Sequence, residues 1–473
     1  MAPKYAPSLR SCLAPLLLFL QTGFIVIYAY LTIIKAYYFS LAEFMDVNVM
    51  VILGFGFLCT FPVRYGFSGS GFNLLVAAIA TQWAIILNNI ESLYYRRKIR
   101  LDMESLVVAE LCTASALVSI GAMLGKTNPV QLILISLLEV SGFILNKWLL
   151  QSFLKLQLVN SIMMLHIFGA LFGLMLTWIV CWKGSEEPFE KERSDRKSGL
   201  FSMLGAVFLW MFWPSFISVL VHDSPERKLW VVCSTYLALA VSAVVAVVVS
   251  VLSSPKGKLN LIHMQSCIFA GGVAVGVSIS VVHQPWEAMT IGFVAAIVSA
   301  IGFRYLKSHM LLAFHCHDTC AILSTHGLPG LLGWLAHLLL QIKDYDDPTM
   351  AIRFAVFHIC TLLITITLSL SMGITTGRLS LCQGFHYQQP CTIIKVDNVV
   401  FTFSTLDKHW CILSLFYMVA ICTIVFPNGF FMSLFKGLLL KWNFWRPPQH
   451  NKCFDDQAFW EVGNQYYILP FTM

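Results

Sequence analysis

Apolar residues run along this chain in blocks separated by short polar stretches, without the strict alternation of a half-buried strand. Each block holds about 20 residues, enough for one α-helix to cross the ~30 Å hydrocarbon core of a bilayer. Twelve such blocks can be drawn, at 13–34, 47–63, 71–90, 104–124, 129–150, 161–182, 199–221, 229–252, 261–282, 286–306, 319–342 and 351–376. The pattern predicts an all-α polytopic membrane protein of about 12 transmembrane helices with both ends on one side. The first block follows Lys4 and Arg10, is too long for the apolar core of a signal peptide, and runs into the bulky Lys35-Ala36-Tyr37-Tyr38, so it is read as a retained anchor.

Two blocks carry a histidine where the bilayer is driest. His166 lies in the sixth block and His326 in the eleventh, and each is followed seven residues later by a glycine, Gly173 and Gly333. An ionisable side chain at membrane depth is costly and normally faces a bundle interior or a wet cavity. Either histidine alone reads as a packing residue bonded to a neighbouring backbone. The spacing of the pair changes that reading. Five blocks is an odd number, so two five-helix halves, about 47–182 and 199–342, would run through the membrane in opposite senses, the arrangement of inverted-repeat transporters whose sites form where the halves meet. The two histidines are then expected within hydrogen-bonding reach of each other at mid-membrane.

Composition supports the membrane assignment. Of 473 residues, 58% are hydrophobic and 12% charged, with a mean hydropathy of +0.75; globular proteins carry about 25% charged residues. The net charge of +7 is spread over loops without basic runs interleaved with aromatics, which points to anionic lipid and excludes a nucleic-acid partner. The 14 cysteines are mostly single and inside apolar blocks, without metal-ligand spacing, and read as small buried hydrophobes. No nucleophile–base pair suggests an enzyme, and no cofactor is implied. No Asn-x-Ser/Thr sequon occurs. Lys4, Arg10, the charged stretch 183–198, Lys256, Lys258, Arg304 and Lys307 fall on one side, which the positive-inside rule makes cytoplasmic, whereas Arg96, Arg97, Lys98 and Arg100 fall on the other. Glu139, deep in the fifth block, is either a helix-capping partner for a broken neighbour, the favoured reading, or part of a pathway.

The stretch 203–216, MLGAVFLWMFWPSF, resembles the Rh branch of the ammonium transporter family. The resemblance recurs at Gly125-Lys126, through 257–276 (GKLNLIHMQS, then AGGVAVG), at Asp318-Thr319-Cys320, at His326-Gly327-Leu328-Pro329-Gly330 and at 454–460 (FDDQAFW). Within the family, the start at 4–13, the tail and the missing sequon are more similar to the non-glycosylated erythroid blood-group CE/D type than to the glycosylated transporters. The resemblance implies a trimer in which each subunit has its own narrow apolar pore, lined at mid-membrane by His166 and His326. It implies two stacked phenylalanines as a gate above that pair, of which one position matches Phe216 and the other falls at Ile120. It also implies an acid eight residues before each histidine: Asp318 stands before His326, but Leu158, beside Gln157, stands before His166.

Two functions follow from the resemblance. One is a plasma-membrane channel for ammonia or ammonium, with carbon dioxide as a further candidate. The alternative is a transport-deficient subunit of a red-cell Rh complex, partnered with an Rh-associated glycoprotein-like chain and linked to the ankyrin-type skeleton. The histidines favour the first, and Leu158 and Ile120 the second. The domain layout expected is a transmembrane region over 1–376, an atypical insertion over 378–436 and a cytoplasmic tail over 437–473. The insertion is expected not to cross the bilayer, and it is either a genuine cytoplasmic insertion or a retained intron.

Overall fold

Helices dominate the computed structural model, which describes residues 13–34, 41–180, 194–221, 224–254, 256–314, 316–381, 455–456 and 459–460. Among the described residues, eleven helices are long and apolar enough to cross a membrane. They are α1 (Ala14–Leu31), α2 (Leu41–Leu58), α3 (Gly66–Asn88), α4 (Met103–Met123), α5 (Pro129–Leu154), α6 (Leu158–Val180), α7 (Arg196–Ser218), α8 (Pro225–Leu252), α9 (Leu261–Ser278), α10 (Pro285–Phe314) and α12 (Pro348–Gly377). Between α10 and α12 lies α11, a π-helical turn at Leu323–Gly327 continued by the α-helix Leu328–Lys343. All twelve overlap the twelve apolar blocks, with ends shifted by up to eight residues.

Polar residues at the block edges start the helices. A free helix N-terminus leaves backbone N–H groups without partners, a heavy cost near lipid. Asp102 and Ser105 close a capping box at α4, Asn128 and Gln131 do so at α5, and Asp195 and Ser198 at α7. Pro129, Pro225 and Pro285 occupy first-turn positions, where the missing N–H costs nothing. The hydropathy pattern did not foreshadow the short helix Ile90–Arg96 or the two-stranded parallel pairing of Thr32–Ile34 with Ile99–Leu101. The first strand continues directly from the end of α1.

Matching pairs of helices repeat across the two halves. The packing of α3 on α4 and α5, of α4 on α5 and of α4 on α6 recurs as α8 on α9 and α10, α9 on α10 and α9 on α11. The glycines seven residues after each histidine obey the same repeat. A Cβ on Gly173 would meet the Ser119 carbonyl oxygen of α4 at 2.6 Å, and one on Gly333 would meet the Ala274 carbonyl oxygen of α9. Small residues permit this approach where apolar burial against lipid supplies no driving force. The core runs through α4, whose apolar window is 94% buried, while α1 at 6% and α12 at 22% lie on the periphery. Glu139 is fully buried and accepts the Ser115 hydroxyl of α4 at 2.6 Å; α4 is unbroken there, so this is a side-chain contact between helices and not the cap of a broken neighbour.

The charged stretch 183–198 is described only from Ser194 onward, and the insertion lies mostly outside the described residues. Part of the tail is described. Asp456 accepts from the backbone N–H groups of Phe67 and Ser68 at 2.9 and 3.0 Å, capping the start of α3, and the Trp460 indole donates to the Ser68 hydroxyl at 2.8 Å.

Candidate functional site

The two histidines meet. His166 is the second residue of the α-helical stretch Leu165–Val180, which follows a break in α6 at Met164. His326 lies in the π-helical turn of α11. Pro329, three residues on, has no N–H to offer the carbonyl one turn back, a local cause for the irregular turn. Helices broken at membrane depth are tolerated where they line a cavity. Gly330 and Gly327 let the two broken helices cross closely: a Cβ on Gly330 would stand 3.5 Å from the His166 Cβ, and one on Gly327 would stand 3.1 Å from the Ala170 Cβ.

At this crossing the two Nδ1 atoms lie 3.3 Å apart, and the ring planes are almost parallel, inclined by 10° with centroids separated by 5.2 Å. Both rings are fully buried. One Nδ1 must donate and the other accept, so the pair holds opposite tautomers. It follows that one Nε2 carries a proton and the other a lone pair. Both Nε2 atoms are buried without a hydrogen-bond partner. Buried polar atoms are almost always satisfied, so two orphans from one bonded pair mark a place for a small polar guest.

Aromatic rings enclose the pair. Trp213 stacks on His166 at 5.6 Å and 18°, and on Phe269 at 5.6 Å and 17°. Phe269 tilts over His326 at 5.5 Å, Phe55 stacks on His326 at 6.1 Å, and Phe216 lies 6.4 Å from His166. Sequence reasoning anticipated Phe216 and missed Trp213, Phe269 and Phe55. Trp213 could have been found, because it precedes Phe216 by three residues and so shares its helical face.

Two expected residues stand elsewhere. Ile120 does not share a level with Phe216. Helices α4 and α6 run in the same direction and in register, since Gly169 packs on the Ser115 carbonyl and Gly173 on that of Ser119, each at 2.6 Å for a Cβ. Extending that register puts His166 level with Leu111 and Cys112. Ile120 is then displaced by two turns, ~12 Å at 1.5 Å per residue, toward the end where Cys320 N–H bonds the Gly121 carbonyl. Leu111 and Cys112, both fully buried, take the level of His166 instead. Asp318 likewise does not face a guest. Its two carboxylate oxygens accept from the backbone N–H groups of Ile322 and Leu323, at 2.9 Å each, holding the start of the helical run that carries His326. Replacing Asp318 with Ala should therefore cost roughly 1–2 kcal/mol as a lost cap. Thermal unfolding of the detergent-purified protein checks this, and Asp318→Asn, which keeps one acceptor, should lose less.

Beside Leu158 a cavity of about 350 Å³ opens between α6, α8 and the residues that follow α7 and α9. At the opposite end Gly125, with φ +84°, makes the turn that α4 needs, and the buried Lys126 ammonium donates to the Ala122 and His317 carbonyls at 3.0 and 2.5 Å.

The Ammonium Transporter Family model matches residues 10–382. The chain belongs to that family. It is 34% identical to human Ammonium transporter Rh type C over 438 residues, 92% of this chain and 82% of that protein. It is 38% identical to Bos taurus Ammonium transporter Rh type A over 419 residues, 89% of this chain and 83% of the relative. Among solved structures it resembles Nitrosomonas europaea Rh50, of the Rhesus protein family of channels, with a TM-score of 0.63, 31% identity, and 72% of this chain and 86% of the other covered. Saccharomyces cerevisiae Mep2, at 14% identity and TM-score 0.59, covering 72% of this chain and 86% of its own, shares the fold. Family membership accounts for the twelve-helix inverted repeat.

Proposed function

We propose that this chain is an Rh-type channel that passes ammonia across the plasma membrane, with His166 and His326 as its selective contact. The observation that carries the reading is the bonded Nδ1 pair with both Nε2 atoms unpartnered. Ammonium reaching this dry, aromatic-walled place would lose its hydration without a counter-charge, so the neutral base is the form admitted. Ammonia can donate an N–H to the bare Nε2 and accept from the protonated one. Potassium can do neither and is excluded. If the shared Nδ1 proton crosses to the other ring while the guest gives a proton to the bare Nε2 and takes one from the protonated Nε2, both rings stay neutral and their two roles are swapped.

Phe216 forms the constriction on the Leu158 side, and Trp213, Phe269 and Phe55 keep the pair dry. Asp318 acts by positioning the His326 helix. The N- and C-termini are cytoplasmic, in keeping with the positive-inside count. The described tail supports this. Gly377 of α12 packs on Ile179 near the end of α6, and Asp456 docks at the start of α3, whose neighbour Phe61 lines a small cavity with Thr319 and Cys320. These points share one end of the bundle. The assembly is a trimer, and the subunit is of the non-glycosylated erythroid type.

A second reading is favoured by Leu158. It lines the outer cavity where transporting relatives are expected to hold an acid, and among the described lining residues there is no carboxylate. A subunit without a recruiting acid would serve instead in a red-cell complex with an Rh-associated glycoprotein-like partner and an ankyrin-type skeleton. Expression in cells lacking their own ammonium uptake decides between the two. The channel reading expects methylammonium accumulation above the vector control, rising several-fold in Leu158→Asp. No uptake in either chain would leave the structural subunit.

A further inference from the structure

The outer cavity contains one feature that the ammonia pathway does not use. Among the described residues that line it, Gln157, Leu158, Val159, Leu220, Val221, Val231, Ile279 and Ser280 are uncharged, and Arg227 is the charged one. Arg227 lies in the first turn of α8 and is half-buried. One guanidinium nitrogen donates to the Ile279 and Ser280 carbonyls at 2.8 and 3.0 Å, just past the end of α9, which anchors the head beside the cavity. Those bonds use neutral acceptors, which bring no counter-charge to the guanidinium. Its neighbour Lys228 is paired with Glu43 at 2.5 Å, and Asp46 of α2 accepts the Ser215 hydroxyl at 2.7 Å. No carboxylate among the described residues pairs with Arg227.

We infer that Arg227 is a charge-selecting residue: its guanidinium makes the cavity on the Leu158 side electropositive, so that cations are turned away before they reach Phe216 and the histidines. This rests on the ammonia-channel reading and deepens it by naming the neutral base as the species that enters. The physics is that of an arginine in a pore mouth. A guanidinium stays ionised at any physiological pH, and in a concave, partly apolar cavity its field is focused rather than screened. The bland alternative is that Arg227 only ties off the carbonyls after α9. Lysine keeps the charge while changing those bonds, and glutamine keeps an N–H donor while removing the charge, so the two substitutions separate the roles.

The test reads the cavity's potential without needing transport. Val221→Cys is introduced into a chain in which the exposed Cys233 is serine, and the purified protein is reconstituted in vesicles. The rates of modification by methanethiosulfonate ethylsulfonate, an anion, and methanethiosulfonate ethyltrimethylammonium, a cation, are each divided by the rate for a free thiol. The anion should be favoured, Arg227→Gln should lower the anion-to-cation ratio by about tenfold, as one nearby unit charge allows, and Arg227→Lys should preserve it. An unchanged ratio in Arg227→Gln, or equal ratios in the Gln and Lys chains, overturns the inference. Methylammonium uptake in the same vesicles is the second measurement: Arg227→Gln should add a component that follows the cation concentration as pH falls. Vesicles that show no uptake at all would refute the channel reading, while the modification ratio would still decide the role of Arg227.

Discussion

His326→Ala should reduce methylammonium uptake to the level of cells carrying an empty vector, with the protein still present at the surface. The imidazole supplies one half of a bonded pair, and its removal leaves the His166 Nδ1 without its partner at 3.3 Å and the guest with one contact instead of two. Truncating one ring inside a cage built by Trp213, Phe269 and Phe55 opens a void but leaves the backbone of α11 intact, because the helix start is held by Asp318 and its crossing by Gly327 and Gly330. Surface biotinylation alongside uptake separates lost chemistry from lost folding. Wild-type uptake in His326→Ala would remove the pair from the mechanism.

Gly173→Leu should have the largest effect on folding. A Cβ there would stand 2.6 Å from the Ser119 carbonyl oxygen and 2.9 Å from the Ser119 Cα. Those are backbone atoms that cannot rotate aside, so the substitution exceeds the ~1–3 kcal/mol of ordinary overpacking. It must separate α4 from α6, the contact that also sets the level of His166. The expected result is little or no mature protein at the surface, measured by biotinylation and by size-exclusion of the detergent extract. Gly56→Ala is the matched control, since a Cβ at Gly56 would meet nothing within 4 Å, and it should express normally. Equal expression of the two variants would show that the α4–α6 approach is not tightly packed.

Much of this fold could be read without coordinates, for a simple reason. In a bilayer each span must satisfy its backbone internally and expose apolar side chains, so the number and order of helices are written in hydropathy blocks of nearly constant length. Several blocks are interrupted α-helices, the eleventh by a π-helical turn at Leu323–Gly327 and the second and tenth by those at Met50–Gly54 and Gly302–Leu306. Parity was legible too. Histidines five blocks apart, each with a glycine seven residues later, are related by position along the chain alone, and the structure brings those histidines to 3.3 Å and sets both glycines against backbone carbonyls.

Other features depended on how one helix slides or turns against another, and no one-dimensional pattern carries that information. Ile120 looked like a gate residue until the register of α4 on α6 put it two turns from the level of His166 and left Leu111 and Cys112 there. Asp318 looked like an acid for the guest, but the irregular start of α11 turns its carboxylate onto two backbone N–H groups. Phe55, Trp213 and Phe269 come from α2, α7 and the middle of α9, and only the crossing of the two broken helices gathers them around the imidazoles. The sequence by itself determined the spans, their alternating sense and the pairing of the two histidines, because burial in lipid constrains each segment independently. The tertiary structure alone decided which side chains share a level and which way they face, because helix register and crossing are set by small residues and backbone contacts between segments far apart in the chain.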